Sequence, residues 1–107
     1  MASGLSDLGR FAEPALVILV SLADGPKHGY AIMTDVEAMT GAPLGPGTLY
    51  SALGRLERRG LIAPLPAQDR RRPYRLTGLG AQTLTAQLSE LQRFTQVALT
   101  RLASNAG

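Results

Sequence analysis

Seven arginines fall between Gly45 and Leu76 (Arg55, Arg58, Arg59, Arg70, Arg71, Arg72 and Arg75) against two acids, Glu57 and Asp69, a local balance of +5. The remainder of the 107-residue chain carries Arg10, Lys27, Arg93 and Arg101 against six acids, a balance of −2, so the net charge of +3 hides a segregation. Charge divided in this way makes a field that attracts a polyanion, the bland alternative being a solvated basic face without a partner. A guanidinium can hold guanine or phosphate with paired hydrogen bonds, and the hydroxyls of Thr48 and Ser51 can reach base edges or phosphates. Gly45-Pro46-Gly47-Thr48 opens a helix whose backbone N–H groups can bind a phosphate without side-chain help. It matches no nucleotide-binding loop, and both glycines equally suit a turn. Lys27 and Tyr30 are candidates for phosphate contacts. His28 reads as a helix-start residue, with pH sensing as its alternative role.

Other chemistries have little footing. The chain has no cysteine, which removes disulfides, thiolate nucleophiles and cysteine-ligated zinc. A single histidine cannot build the multi-histidine site of a catalytic zinc. Ser51 has no histidine beside it and the acids are scattered, so no catalytic residue, metal site or cofactor is expected. The apolar run Ala15–Val20 is far shorter than the roughly 20 residues of a membrane span. Asp7 and Glu13 precede it and no A-x-A pattern closes it, against a secretory signal. A cytoplasmic chain without a membrane segment is expected.

Those candidate residues need elements to carry them. Residues 1–12 read as a lead. Glu13-Pro14 starts a helix running to about Ala23, apolar on nearly all sides and therefore wrapped by other elements or a second subunit. Asp24-Gly25-Pro26 breaks it. A second helix, from His28 or Gly29 to about Thr40, places Ile32, Val36 and Met39 on one face and Tyr30 on the other, with Gly41 as its stop. In the third, Leu49, Leu53 and Leu56 face inward. Gly47, Ser51, Gly54, Arg55 and Arg58 then face outward, flanked by Thr48 and Arg59. A mid-helix glycine costs about 1 kcal/mol against alanine. Gly54 therefore implies either close approach of another surface or packing on a neighbouring helix. Leu61–Ala63 and Pro73–Leu76 read as two strands around a basic loop, with Pro64 and Pro66 holding the first to an edge. Helix-turn-helix followed by such a hairpin describes a winged helix. Thr77 is the expected N-cap of a final helix. Along it Ala81, Leu84, Leu88, Leu91, Thr95, Ala98 and Leu102 form a heptad seam, which Phe94 and Leu99 widen. A helix of roughly 25 residues spans about 37 Å, too far for the small body to cover alone, and predicts dimerisation.

Three ordered blocks resemble the PadR-type transcriptional regulators. Gly25-Pro26-Lys27-His28-Gly29-Tyr30-Ala31-Ile32 is similar to the family's opening helix-turn-helix signature. Pro46-Gly47-Thr48-Leu49-Tyr50, with Leu53, Arg55-Leu56-Glu57 and Gly60-Leu61-Ile62, matches its recognition-helix block. Arg71-Arg72-Pro73-Tyr74-Arg75-Leu76-Thr77, followed by Gly80, looks like its second wing strand and the start of the next helix. The resemblance covers about Leu16 to Ala81. It implies a winged-helix dimer that represses transcription and is released by a small-molecule effector or another signal. The single final helix resembles the short subgroup. Gly78 departs from the family, which commonly has an acid there. Some short members bind planar drugs between aromatic side chains at the dimer centre; this chain has no tryptophan, and Phe11 and Phe94 are its residues for such a space.

The expectation is an α+β, mostly α, winged helix-turn-helix with a long C-terminal dimerisation helix: a lead over 1–12, a DNA-binding unit over 13–76 and the dimerisation helix over 77–107. Double-stranded DNA is the expected partner, met by Lys27, His28, Tyr30, Gly47, Thr48, Tyr50, Ser51, Arg55, Arg58, Arg70, Arg71 and Arg72. A homodimer would join through Leu16, Leu19, Leu84, Leu88, Leu91, Phe94, Ala98 and Leu102. The reading from another class is a winged-helix module whose basic face meets an acidic protein.

Overall fold

A computed structural model describes residues 13–106; the 1–12 lead and Phe11 lie outside the described residues. Helix α1 spans Pro14–Leu22, with Glu13 as N-cap and proline in its first turn, the position where a missing N–H costs nothing. Strand β1 is Lys27–His28, α2 Gly29–Thr40, α3 Pro46–Arg58, β2 Ile62–Pro64, β3 Pro73–Leu76 and α4 Gly78–Ala106. Gly41 and Gly60, both at positive φ, end α2 and α3 in the left-handed conformation that glycine adopts without strain.

The core explains the packing of the helices. Val17, Ile18, Leu19 and Leu22 from α1 meet Ile32 and Val36 from α2, and Leu49, Ala52, Leu53 and Leu56 from α3. The inward face expected of α3 is therefore the observed one. Leu61, Ile62 and Leu84 close the cluster from the wing and α4. Met39, expected on the buried face of α2, is 43% exposed; half-buried Met33 packs against the core instead.

The sheet corrects the sequence reading. Two strands were expected and three form among the described residues, in the order β1-β3-β2, all antiparallel. Lys27 and His28, read as a helix start, pair with Tyr74 and Pro73 before the chain turns into α2. Two residues are too few to show an alternating pattern. Pro64 ends the edge strand β2 opposite Tyr74, as the restriction of proline to sheet edges requires.

Thr77 caps α4 as expected: its Oγ1 accepts the Gly80 N–H at 2.9 Å. The helix has 29 residues, about 43 Å at 1.5 Å per residue. Only Gly80 and Leu84 of it are buried; beyond them it leaves the body.

Candidate nucleic-acid interface

Helix α3 divides cleanly. Leu49, Ala52, Leu53 and Leu56 are buried, whereas Gly47, Thr48, Tyr50, Ser51, Arg55 and Arg58 are exposed. A Cβ built on Gly54 would meet only the guanidinium tip of Arg58, at 3.3 Å. Among the described residues no neighbouring helix packs on this glycine, which favours the close approach of another surface as its explanation. Gly45 and Gly47, at the start of α3, likewise face open space. Backbone N–H groups of the first turn are thus uncovered and point where an anion is favoured.

The basic loop after β2 is a hairpin turn. Gln68 and Arg71 exchange backbone hydrogen bonds of 2.7 and 2.8 Å, and the two residues between them, Asp69 and Arg70, have φ of 50° and 66°. Two central residues at positive φ define the turn whose twist suits a hairpin. Aspartate tolerates that conformation through its short polar side chain. Arginine does not, and its cost is about 1–2 kcal/mol. The turn holds Arg70, Arg71 and Arg72 exposed at the tip of the wing.

Tip, α2 and α3 meet around a cleft of about 210 Å³, lined by His28, Gly29, Tyr30, Tyr50, Arg70, Arg71, Arg72 and Tyr74. Gly29 is buried beneath the Tyr50 hydroxyl, which occupies the space where a Cβ would lie. Tyr30 points outward at 67% exposure. His28 joins the elements: its Nδ1 accepts the Ala31 N–H at 3.4 Å as the N-cap of α2, and its Nε2 lies 3.2 Å from an Arg71 guanidinium nitrogen. Tyr74, missed as a site residue, comes from the inward side of β3. Burial, then the nearby Glu57 carboxylate, pushes its phenol above the ordinary value. The alternation of Tyr74 and Arg75 was the signal that could have placed it.

Lys27 stands apart from this cleft. Its ammonium donates to the Ser21 carbonyl and, at 2.6 Å, to Asp24, with Asp35 at 3.9 Å. The Asp35 carboxylate accepts the hydroxyl of buried Ser21 at 2.7 Å. The lysine thus holds the carbonyl end of α1 to α2, and its hydrogen bond and charge keep the Asp24 carboxyl below the usual carboxylate range.

The expected dimer residues separate into two groups. Leu19 and Leu84 lie at 3% and 5% exposure in the subunit's own core and so leave little surface for a joint. Leu16 and Ala98 are half-buried, and Leu88, Leu91, Phe94 and Leu102 are exposed. Among the described residues no helix is long and apolar enough to cross a membrane, and no group of three or more His, Cys, Asp or Glu could hold a metal ion.

A helix-turn-helix with a three-stranded wing and a projecting last helix defines a winged-helix protein. Residues 18–86 match the Transcriptional regulator PadR-like family, and the chain belongs to that family. A PadR family transcription regulator from Clostridium difficile superposes with a TM-score of 0.73 at 26% identity, over 83% of this chain and 97% of that one. A transcriptional regulator from Clostridium thermocellum gives 0.70 at 30% identity, over 78% and 86%. An uncharacterized 37.1 kDa protein in transposon TN4556 of Streptomyces fradiae is 43% identical over 84 residues, 78% of this chain but 24% of that protein. The chain thus spans about a quarter of the length of this curated relative.

Proposed function

We propose that the chain is a DNA-binding transcriptional regulator working as a homodimer on a near-palindromic operator. The observation that carries this reading is that the outward face of α3 is uncovered and carries Arg55 and Arg58, and that its Tyr50 meets the arginine tip of the wing at one cleft. In a major groove Thr48, Ser51 and Arg55 would meet base edges or adjacent phosphates. Gly47, Gly54 and the bare first turn let the backbone come close. His28, Tyr30, Tyr50, Arg58 and Arg70–Arg72 would fix register on the sugar-phosphate chain.

Residues 13–76 form the DNA-binding unit in this reading, and 77–107 the dimerisation helix. The exposed stripe of Leu88, Leu91, Phe94 and Leu102, with half-buried Ala98 among them, supports a second copy as its cover. It is broader than the seam of a two-stranded coil, so the partner would present more than one helix. Two copies joined there would set their α3 helices about one helical turn of DNA apart. Repression, with release by a small-molecule effector, is what membership of the family suggests.

Selection of bound sequences from a random duplex pool tests the reading. Enrichment of a two-fold symmetric site is expected, together with a sedimentation mass of two chains. A protein that retains no duplex at low salt would instead be a winged-helix module for an acidic protein.

A further inference from the structure

His28 cannot satisfy both of its neighbours. The Ala31 N–H reaches its Nδ1 at 3.4 Å and an Arg71 guanidinium nitrogen lies 3.2 Å from its Nε2. Both neighbours can only donate, and a neutral imidazole offers a single lone pair. When Nδ1 keeps the cap, Nε2 carries its proton toward the guanidinium. Two donors then converge on one exposed point between α2 and the wing, where an oxygen anion would accept from both.

We infer that His28 and Arg71 form a seat for a phosphodiester oxygen, and that filling it binds a proton on His28, so that affinity for duplex DNA rises as pH falls through the histidine range. The inference rests on the DNA-binding reading and adds a control by pH to the same site. An anion in direct hydrogen-bond contact favours the imidazolium, so the complex holds the proton more tightly than the free protein does. The proton comes from solvent. The long Ala31 contact is the weaker claim on the ring, and a charged Nδ1–H gives it up in exchange for the charge-assisted bond at Nε2.

The surroundings suit this exchange. The wing brings Arg70 and Arg72 beside Arg71, while α2, α3 and β3 line the cleft with phenols (Tyr30, Tyr50 and Tyr74), and the Glu57 carboxylate of α3 lies near Tyr74. Asp69 is the carboxylate along the adjoining cleft. Next to His28 on β1, Lys27 has its charge engaged by Asp24 and Asp35. Phosphate is therefore the anion this cluster lacks.

The chain has one histidine and no cysteine, so an imidazole titration followed by NMR between about pH 5.5 and 8.5 reports on His28 alone among the side chains that ordinarily titrate there. The full chain would be titrated free, with a short duplex, and with inorganic phosphate. Duplex affinity would be measured in parallel for the wild type, His28→Asn, which keeps a capping oxygen but takes no proton, and Arg71→Ala. The duplex should raise the titration midpoint. Wild-type affinity should gain up to about tenfold per pH unit per subunit, and His28→Asn should bind more weakly and show no slope. A bound duplex that leaves the midpoint unmoved, or an unchanged slope in His28→Asn, overturns the inference. If no duplex binds at any pH, the DNA reading fails and the phosphate arm decides. A midpoint raised by phosphate in the wild type but not in Arg71→Ala supports the seat, and an unmoved one overturns it.

Discussion

The Cα of Gly80 lies so close to the carbonyl oxygen of Leu61 that no Cβ fits between them. That oxygen cannot step aside, because it accepts the Thr77 N–H at 3.1 Å. Thr77 in turn donates its hydroxyl to Gly60 O at 2.6 Å and accepts the Gly80 N–H at 2.9 Å. These residues fasten the first turn of α4 to the end of α3, so the helix expected to join two subunits is tied by backbone contacts to the helix expected to read DNA.

Gly80→Ala should therefore cost about 1–3 kcal/mol, the range for overpacking against atoms that cannot yield. Gly29→Ala is the contrast. Its new methyl would meet the hydroxyl end of Tyr50, an exposed side chain free to swing away, and the loss should stay below about 1 kcal/mol. Urea melts of the two variants check the difference. Equal midpoints would mean that the α4 junction is looser than described.

Ser21 is buried at 1% exposure and donates to Asp35 at 2.7 Å. Ser21→Ala removes a donor from a carboxylate that only Lys27 would then face, and should cost about 1–3 kcal/mol. Lys27→Met should also lower the melting temperature, since its ammonium holds the end of α1. Because that ammonium is already engaged, the salt dependence of DNA binding should not change. A flattened salt slope in Lys27→Met would show instead that the lysine reaches a phosphate.

Tyr74 links stability to alkaline pH. Its phenol titrates above the ordinary value, chiefly because burial opposes the phenolate. A pKa raised on folding gives stability that is present below the unfolded value near 10 and lost as pH climbs through the folded one. Melting temperatures from about pH 9 upward should fall in the wild type and fall less in Tyr74→Phe. Identical alkaline profiles would place the linkage elsewhere.

The helices were legible because their signals are long and redundant. Pro14, Gly41 and Gly60 punctuate them, and Leu49, Leu53 and Leu56 repeat at a spacing that only one face can absorb. The outward set on α3 followed from that face. What escaped had no pattern to show. Strand β1 is two residues whose pairing with Tyr74 and Pro73 is created by the tertiary fold. The wing turn uses Asp69-Arg70 where the usual sequence signal is Asn-Gly or Asp-Gly. The engagement of Lys27 comes from the Ser21 carbonyl and Asp24, which only the turn after α1 brings onto one ammonium, and Leu19 looked available to a second subunit because sequence alone does not say which side of an all-apolar helix its own chain covers.

Arg70 is the strained member of the wing turn. Arg70→Gly should relieve the positive φ, stabilising the hairpin by about 1 kcal/mol, while removing one cation from the tip. Replacing Arg70, Arg71 and Arg72 together by alanine should weaken binding to all duplexes alike. The log–log salt slope should flatten by up to about 0.9 for each phosphate that the wing no longer neutralises. Fluorescence-anisotropy titrations over a range of salt measure it, and an unchanged slope would remove the wing from the interface.

Gly54 separates stability from function most sharply. It sits inside α3 with nothing but the Arg58 tip near its missing side chain, so alanine there needs only a small shift of that flexible guanidinium and gains helix propensity. Gly54→Ala should stabilise the fold by about 0.5–1 kcal/mol, a rise of several degrees in the melting temperature of a domain of this size. If α3 lies deep in a major groove, the added methyl stands between the helix backbone and the base edges, and affinity for the selected duplex should fall even as the protein becomes more stable. A destabilised protein would bind less for a trivial reason; a stabilised one that binds less, with Arg58→Ala as the control for the displaced guanidinium, does so because the other surface comes up against this glycine. A variant both more stable and equally tight would place the closest approach of DNA away from the middle of α3, toward its first turn at Gly47 and Thr48.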